Sequence, residues 1–321
     1  MRFNPPRLLQ NTLFSSVASY PDDTALIVSD VRMSYREVLD YVCRLAHALH
    51  ARGLYRGDRV VIFMDNTWQC AVSIYGVLIA GGVFVIVNPQ TKPDKLAFIH
   101  RDSDALVLLI EANLLRVVAS VTDQLPKLKV LCTFESKPLP TGVENMHDEL
   151  ANMPIKPPSQ SLISKDLAAL IYTSGSTGEP KGVMHTHQSV LFALQSLVEY
   201  LRLDNTDRIM CLLPLAFDYG LYQLLMTFYT GRTLILEGSF TYPAQALNVM
   251  EAEGVTVFPG VPTIFAMMLA THDHKPLCFP KIRRVTNTAA ALPPSFNKRL
   301  REIFPSADIY IVCMALRNAS A

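Results

Sequence analysis

The chain has 321 residues, of which 50% are hydrophobic and 18% are charged. This composition excludes a disordered protein and provides enough apolar side chains for a large core in one or two domains. Its 29 basic and 28 acidic residues give a formal net charge of +1, so no overall charge attracts the chain to nucleic acid or to an anionic membrane. We therefore expect a small-molecule partner and no nucleic acid.

The six cysteines are far apart, form no CxxC pair and have no histidine at a metal-ligand spacing. They are typical of reduced core residues in a cytoplasmic protein. The N-terminal segment has no apolar stretch long enough for a signal peptide. We therefore predict a cytoplasmic location and no protein metal site.

Short β-branched segments alternate with helical segments from residue 35 onward, which is typical of parallel sheets with crossover helices. We therefore predict an α/β fold with two doubly wound parallel-sheet subdomains. A helix is predicted over 35–51, because Val38, Val42, Leu45 and Leu49 share one face. The predicted strands of the first half are 59–64, 83–87, 105–110 and 130–134.

The stretch from Cys70 to Val87 is uncharged and about as long as the shortest membrane-spanning helices. Gly81 and Gly82 divide it into a helix-like half and a β-branched half. This pattern favours a buried helix followed by a buried parallel strand. We therefore predict no transmembrane segment.

A Pro-rich stretch over residues 135–164 cannot form a long helix or a central strand. We interpret it as a linker between a first α/β subdomain over 1–134 and a second over 165–312. The predicted strands of the second half are 167–172, 208–213, 233–236, 255–258, 284–286 and 309–312.

A loop rich in glycine and hydroxyl groups follows the first strand of the second half. It reads YTSGSTGEPKG, from Tyr172 to Gly182. Its glycines expose backbone N–H groups, its hydroxyls add donors and Lys181 adds positive charge, and this combination suits a polyphosphate. The spacing differs from the Walker pattern GxxxxGK[ST]. The alternative is a flexible surface turn, which the preceding buried strand and the closing Pro-Lys-Gly disfavour.

The loop and its continuation, YTSGSTGEPKGVMHTH, resemble the signature of the adenylate-forming superfamily, which includes AMP-forming acyl-CoA synthetases and amino-acid adenylation domains. Five other segments follow in the order of that family, and the likeness covers about residues 10 to 312. These segments are MSYREV from Met33, LIAGGVFVIVNP from Leu78, LPLAFDYGLYQ from Leu213, FPGVPT from Phe258 and VTNTAAALP from Val285.

The resemblance implies a two-step ligase. A carboxylate attacks the α-phosphate of ATP with Mg²⁺, and the acyl group then passes from AMP to a thiol, either coenzyme A or the phosphopantetheine of an acyl or peptidyl carrier protein. The loop would neutralise phosphate charge. Thr173 and Lys181 are the expected catalytic residues. The expected nucleotide contacts are Thr173, Ser174, Gly175, Ser176, Thr177, Gly178 and Lys181.

By the same resemblance, Ala289, Ala290 and Ala291 would lie along the adenine ring, at a position where the family often has Gly-Gly-Ala or Gly-Glu. Three methyl groups therefore stand where the base should lie flat. The alternative is that these alanines only end a strand before a helix that Pro293 and Pro294 begin.

LPLAFDYG would form a wall of the carboxylate pocket. Phe217 and Asp218 would be exposed to the substrate, and Gly260, Val261 and Pro262 would line the same pocket. In amino-acid-activating relatives an aspartate after phenylalanine holds the substrate ammonium, so Asp218 favours an amine-bearing carboxylate. A helix N-cap is the alternative role for Asp218.

His185 and His187 follow the loop, and we interpret both as packing or exposed residues without a catalytic role.

The family continues beyond the last predicted strand with Tyr-Gly-x-Thr-Glu, a magnesium ligand and a small C-terminal domain, whereas residues 313–321 read CMALRNASA. A permitted choice of codons for this tail encodes Tyr-Gly-Leu-Thr-Glu in a second frame. We therefore expect a truncated ligase, inactive as this chain alone, with a frameshifted tail. A natural short tail is the alternative.

Two other functional classes are open to this sequence. A kinase or acyltransferase would need a base or nucleophile beside the loop, and no motif supplies one. A non-catalytic module that binds ATP and an acyl group is the second candidate. Nucleotide binding without pyrophosphate release would identify such a module.

Overall fold

The computed structural model describes residues 6–121, 129–132, 139, 143–173, 179–238, 240 and 242–312. The strands are β1 (Thr24–Val28), β2 (Val31–Ser34), β3 (Arg59–Phe63), β4 (Val83–Val87), β5 (Ala105–Ile110), β6 (Lys129–Cys132), β7 (Val143–Asn145), β8 (Leu167–Thr173), β9 (Lys181–Thr186), β10 (Arg208–Cys211), β11 (Thr233–Leu236), β12 (Val257–Gly260), β13 (Arg284–Asn287) and β14 (Asp308–Ile311).

The α-helices alternate with these strands along most of the chain. They are α1 (Gln10–Ser19), α2 (Tyr35–Ala51), α3 (Trp68–Ile79), α4 (Pro93–Ser103), α5 (Leu115–Ala119), α6 (His147–Asn152), α7 (His187–Tyr200), α8 (Asp218–Thr230), α9 (Pro243–Ala252), α10 (Pro262–His274) and α11 (Pro294–Ile303).

Two predominantly parallel sheets confirm the predicted α/β fold. Sheet I has the order β14-β13-β12-β10-β11-β1-β2, and sheet II has the order β7-β6-β5-β3-β4-β8-β9. One edge strand in each sheet is antiparallel, β2 beside β1 and β9 beside β8. All ten predicted strands are present, with ends that differ by one to two residues where they differ at all.

The sheets do not follow the predicted division of the chain at residues 135–164. β1 and β2, from the first half, extend sheet I, and β8 and β9, from the second half, extend sheet II. Leu26 of β1 pairs with Leu234 of β11, and Phe84 of β4 pairs with Ala169 of β8. Hydrophobic periodicity marks strands but does not say which distant strands pair, so this exchange is absent from the sequence prediction.

Residues 135–164 contain only short elements among those the structure describes. β7 has three residues and lies at the edge of sheet II, and α6 has six residues. This agrees with the expectation that the Pro-rich stretch holds neither a long helix nor a central strand.

Helices α3 and α8 occupy the core between the sheets. Residues 70–79 of α3 and 219–228 of α8 are buried without interruption. One hydrophobic cluster joins residues of both sheets through these helices. The uncharged stretch from Cys70 to Val87 is therefore a core helix, then a turn at Gly81 with φ +81°, then the fully buried strand β4.

Within the described residues, no helix combines the length and the apolar character needed to cross a membrane. Cys43, Cys70 and Cys211 are buried free thiols, as predicted, whereas Cys278 is exposed. Burial raises the pKa of the Cys43 thiol to about 12, so this thiol stays protonated at neutral pH.

Candidate active site

A cavity of about 780 Å³ opens at the carboxyl ends of the strands of sheet I. Ligands of open α/β sheets commonly bind at this edge. Two stretches of chain form most of its wall: six of residues 213–220, following β10, and all of 287–291, at the end of β13 and just after it. Val261, Ile311 and Val312 complete it. The segments predicted to bind the carboxylate and the adenine thus meet at one cavity.

Asp218 is the single charged residue that lines the cavity within the described part of the chain. It is the first residue of α8, and its Oδ1 accepts a hydrogen bond from the backbone N–H of Tyr219 at 2.7 Å. The N-cap position belongs to Phe217, whose side chain is 54% exposed and lines the same wall. Burial raises the pKa of the Asp218 carboxyl, and nearby His185 lowers it in part.

The start of α8 is fixed by its contact with the preceding turn. A Cβ on Gly220 would lie 2.2 Å from the carbonyl oxygen of Pro214, so only glycine permits this approach. The N–H of Phe217 donates to the same carbonyl at 3.0 Å. Asp218 therefore projects from a rigid turn of the chain.

The side chain of Asn66 holds this turn from sheet II. Its Nδ2 donates to the carbonyls of Leu213 and Glu237, both at 3.0 Å, and its Oδ1 accepts from the N–H of Leu215 at 2.9 Å. Asn66 lies just after β3, so one buried amide joins the carboxyl ends of the two sheets beside the cavity.

Ala289, Ala290 and Ala291 are exposed along the cavity wall. Ala289 has a φ of +69°, in the left-handed region that favours glycine. Asn287 is fully buried, and its Nδ2 donates to the carbonyl of Ala290 at 2.8 Å, which closes the turn. The alanines follow β13 and precede α11, and they also line the cavity. The structure is therefore compatible with both predicted roles, contact with the adenine ring and termination of the strand.

Of the three residues expected along the pocket beside Asp218, Val261 lines the cavity, and Gly260 and Pro262 flank it along the chain. Gly260 ends β12, where an added Cβ would lie 2.6 Å from the ring of Phe265. Pro262 begins α10. Gly260 therefore permits the packing of α10 against the sheet.

The predicted phosphate loop connects β8 to β9. Thr173 and Lys181 are paired across the two strands at the base of the loop, with Lys181 exposed. Residues 174–178, which include the expected contacts Ser174, Gly175, Ser176, Thr177 and Gly178, lie outside the described residues. Thr173 and Lys181 do not line the 780 Å³ cavity itself.

A small space of about 10 Å³ lies between the β8–β9 hairpin and α8. Asp218 lines both spaces, and His185 of β9 and Ile171 of β8 line the small one. The Nε2 of His185 is buried and has no hydrogen-bond partner, and burial lowers the pKa of its imidazole. Asp218 is therefore the residue at which the hairpin and the cavity meet.

His187 has a structural role, as the sequence interpretation expects. Only 1% of the residue is exposed, and its Nδ1 accepts a hydrogen bond from the backbone N–H of Leu9 at 3.1 Å. Burial lowers the pKa of its imidazole to about 4, so the ring is neutral at neutral pH.

A match to a known family extends along almost the whole chain. Residues 13–313 match the family described as AMP-binding enzyme. The chain belongs to this family.

Two curated relatives illustrate its range. Tyrocidine synthase 3 of Brevibacillus parabrevis is 30% identical over 308 residues, which cover 94% of this chain and 4% of that protein. The long-chain-fatty-acid–CoA ligase of Bacillus subtilis strain 168 is 28% identical over 331 residues, covering 93% of this chain and 58% of the ligase. The chain therefore spans less than two thirds of either relative.

Solved structures show the same architecture. The anthranilate CoA ligase AuaEII in complex with anthranoyl-AMP superposes with a TM-score of 0.90 at 25% identity, covering 97% of this chain and 61% of that chain. VinN in complex with L-aspartate superposes with a TM-score of 0.80 at 29% identity, covering 96% and 77%. The chain therefore shares the fold of these adenylate-forming enzymes.

Magnesium accompanies ATP in the expected reaction. Among the residues that the structure describes, no group of three or more His, Cys, Asp or Glu side chains could hold a metal ion. Mg²⁺ in nucleotide sites is usually held by one or two carboxylates together with phosphates and water, so such a group is not required for it.

Three residues beside the site are absent from the sequence prediction. Asn66 and Asn287 are single polar residues next to strand ends, and Tyr219 follows Asp218 within the recognised motif. Tyr219 and Asn287 lie within the recognised segments LPLAFDYGLYQ and VTNTAAALP, so the family resemblance is the available signal for both. Nothing local to Asn66 indicates a bond to a turn about 150 residues away.

Proposed function

We propose that this AMP-binding enzyme binds ATP and a carboxylate in the 780 Å³ cavity and joins them as an acyl adenylate with release of pyrophosphate. The observation that carries the proposal is that Asp218 and Ala289–Ala291 line one cavity at the carboxyl edge of sheet I. The first would face the carboxylic acid substrate and the second would face the adenine. The acyl adenylate would then bridge them.

The preferred substrate in this proposal is a carboxylic acid that carries an amine. Asp218 is the charged residue of an otherwise largely apolar wall, and no lysine or arginine lines the cavity within the described residues. A substrate ammonium would pair with this carboxylate in surroundings where water competes weakly. Solved relatives in complex with L-aspartate and with anthranoyl-AMP support an amine-bearing acid.

The residues around the nucleotide would act by positioning and by charge neutralisation. Ala289–Ala291 would lie against the adenine, held by the bond from Asn287 to the carbonyl of Ala290. Thr173 and Lys181 stand at the base of the loop, where a hydroxyl and an ammonium would neutralise charge on the departing phosphates. The acceptor of the acyl group would be a thiol, of coenzyme A or of a carrier-bound phosphopantetheine.

Calorimetry with ATP and AMP, combined with an assay of carboxylate-dependent pyrophosphate release, tests this proposal on the 321-residue chain. Nucleotide binding with pyrophosphate release supports the ligase. Nucleotide binding without release supports the nucleotide site and contradicts acyl adenylate formation by the 321-residue chain, as for a non-catalytic module. Absence of binding by both nucleotides contradicts the nucleotide site itself.

A further inference from the structure

The side chain of Tyr172 lies across the base of the predicted phosphate loop. Tyr172 is paired with Gly182 across β8 and β9, and Thr173 and Lys181 form the next pair, the last one before the loop. A Cβ on Gly182 would lie 3.0 Å from Cζ of the Tyr172 ring, so the ring lies directly over the glycine. A side chain of the strand that enters the loop therefore packs on the strand that leaves it.

The hydroxyl of Tyr172 reaches a further element, helix α4. It donates a hydrogen bond to Oδ2 of Asp102 at 2.5 Å, a length typical of an O–H bond to a carboxylate. Burial and this bond raise the pKa of the Tyr172 phenol, so the hydroxyl keeps its proton at neutral pH. The ring also packs against the hydrophobic cluster that joins α4 to sheet II. The Tyr172 side chain is therefore fixed along its whole length.

The end of α4 that accepts this bond is itself fixed to the interior of sheet II. Nε of Arg59, on β3, donates to the carbonyl of Ser103 at 2.6 Å, and its Nη2 donates to the carbonyl of Asp104 at 2.9 Å. β3 lies between β4 and β5 within the sheet. The bond from Tyr172 to Asp102 therefore ties the base of the loop, through α4, to a central strand.

We infer that Tyr172, held by Asp102, is a positioning residue that places Thr173 and Lys181 for the outer phosphates of ATP. The inference rests on the proposed function, in which this hydroxyl and this ammonium neutralise charge on the departing phosphates. Each is one residue from the Tyr172–Gly182 pair, so a shift of either strand would move both groups. AMP has no β- or γ-phosphate, so loss of the bond should affect ATP and not AMP.

Calorimetry of ATP and AMP binding to the 321-residue chain, with magnesium present in both titrations, tests this inference. Tyr172→Phe removes the hydroxyl and keeps the ring, and Asp102→Ala removes the acceptor. Each should weaken ATP binding by about five-fold or more and change AMP affinity by less than about two-fold. Because both variants break the same bond, the double variant should bind ATP no more weakly than either one. Asp102→Asn keeps an acceptor oxygen and should recover most of the ATP affinity that Asp102→Ala loses.

Tyr35→Phe is the matched control, because it also removes a hydroxyl that bonds to another part of the chain. The Tyr35 hydroxyl donates to the carbonyls of Thr227 and Arg232 at 3.1 and 2.7 Å, near the end of α8 that lies away from the cavity. This variant should change the affinities for ATP and AMP by less than about two-fold each. Asp102 is exposed, so its variants test the same bond if Tyr172→Phe does not fold.

A loss confined to ATP supports the inference. Equal losses of ATP and AMP affinity in folded Tyr172→Phe and Asp102→Ala contradict it, and so does the absence of any loss. Additive losses in the double variant contradict it as well, because the two residues would then act independently. Failure of the wild type to bind either ATP or AMP contradicts the proposed function instead, so the two failures are distinguishable.

Discussion

Ala289 holds a backbone conformation that alanine rarely adopts. Its φ of +69° lies in the left-handed region, where a Cβ costs about 1–2 kcal/mol. The residue lines the cavity next to Ala290, whose carbonyl is held by Asn287. Local strain of this kind is found at sites where the surrounding structure fixes a functional loop.

Replacing Ala289 by glycine should therefore stabilise the protein. Relief of the left-handed strain exceeds the entropy that glycine adds to the unfolded chain, and the net gain should be about 0.5–1 kcal/mol in the free energy of unfolding. Ala290→Gly is the matched control, because Ala290 does not have a positive φ. It should destabilise by about 0.5–1 kcal/mol. Denaturant unfolding measures the free energy of unfolding of both variants. Equal effects of the two substitutions would show that the backbone of Ala289 is not strained.

Asp218 is the residue at which substrate charge would be recognised. Asp218→Asn should weaken binding of alanyl sulfamoyl adenosine by about 10- to 100-fold, because the neutral amide cannot pair with the ammonium. Propanoyl sulfamoyl adenosine, which has no amine, should lose less than three-fold in affinity on the same substitution. Calorimetry measures the affinity for both analogues. Equal losses of affinity would indicate that Asp218 only stabilises the start of α8 and does not bind the ammonium.

The same residue predicts how binding depends on pH. Because burial raises the pKa of the Asp218 carboxyl, the free protein takes up this proton at a higher pH than an exposed aspartate does. As the pH is lowered, affinity for the alanyl analogue should therefore begin to fall at a higher pH than it would with an exposed aspartate. Affinity for the propanoyl analogue should change less. Parallel pH profiles of the two analogues would contradict this assignment.

Site residues within a recognisable sequence motif could be identified from the sequence, and site residues outside such motifs could not. The family resemblance assigns Asp218 to the carboxylate pocket and Ala289–Ala291 to the adenine, and the structure brings these residues to one cavity. The positive φ of Ala289 was not predictable, because alanine gives no local signal for it. Tyr219 and Thr286 meet through folding of segments far apart in the chain.

Helix α7 and the N-terminal segment are joined through one buried histidine. His187 accepts a hydrogen bond from Leu9 and has a pKa of about 4, below the usual value near 6.5. Between these values the unfolded chain binds a proton that the folded protein does not. Stability from this group is therefore complete above about pH 6.5 and is lost as the pH falls toward 4, by on the order of 3 kcal/mol.

His187→Gln should flatten part of this acid dependence, because glutamine retains an acceptor for Leu9 but does not titrate. Denaturant unfolding at pH 7.0, 5.5 and 4.5 measures the slope. His274→Gln is the matched control, since His274 is exposed. Should both variants lose stability with pH as steeply as the wild type, the buried histidine is not the cause.

Elements with strong local patterns were mostly predictable, whereas the edge strands β2, β7 and β9 were not predicted and the edge strand β14 was. The helix at α2 and the strand at β4 follow from apolar periodicity and from a continuous β-branched run. Strands β2 and β9 are edge strands with mixed burial, so their sequences carry little alternation. The capping box of Ser34 and Glu37 at the start of α2 was readable in MSYREV as Ser-x-x-Glu.

At the scale of the molecule, the two sheets are interleaved along the chain and meet beside the cavity at Asn66. Asn66→Ala should cost about 2–4 kcal/mol in the free energy of unfolding, because it leaves two carbonyls and one N–H without their shared partner. Nucleotide affinity should fall as well, since Leu213 and Pro214 line the cavity.

Asn297→Ala, on an exposed position of α11, is the matched control and should change stability by less than about 0.5 kcal/mol. Thermal or denaturant unfolding of both variants gives the comparison. A wild-type melting temperature in Asn66→Ala would show that the two sheets do not depend on this amide.

The central claim is that one cavity holds both ends of an acyl adenylate. A crystal structure of the 321-residue chain with alanyl sulfamoyl adenosine tests it directly. The account predicts the adenine against Ala289–Ala291 and the ligand amine within hydrogen-bond distance of the Asp218 carboxylate. A ligand bound elsewhere, or one whose amine points away from Asp218 with its adenine off the alanine segment, would contradict it.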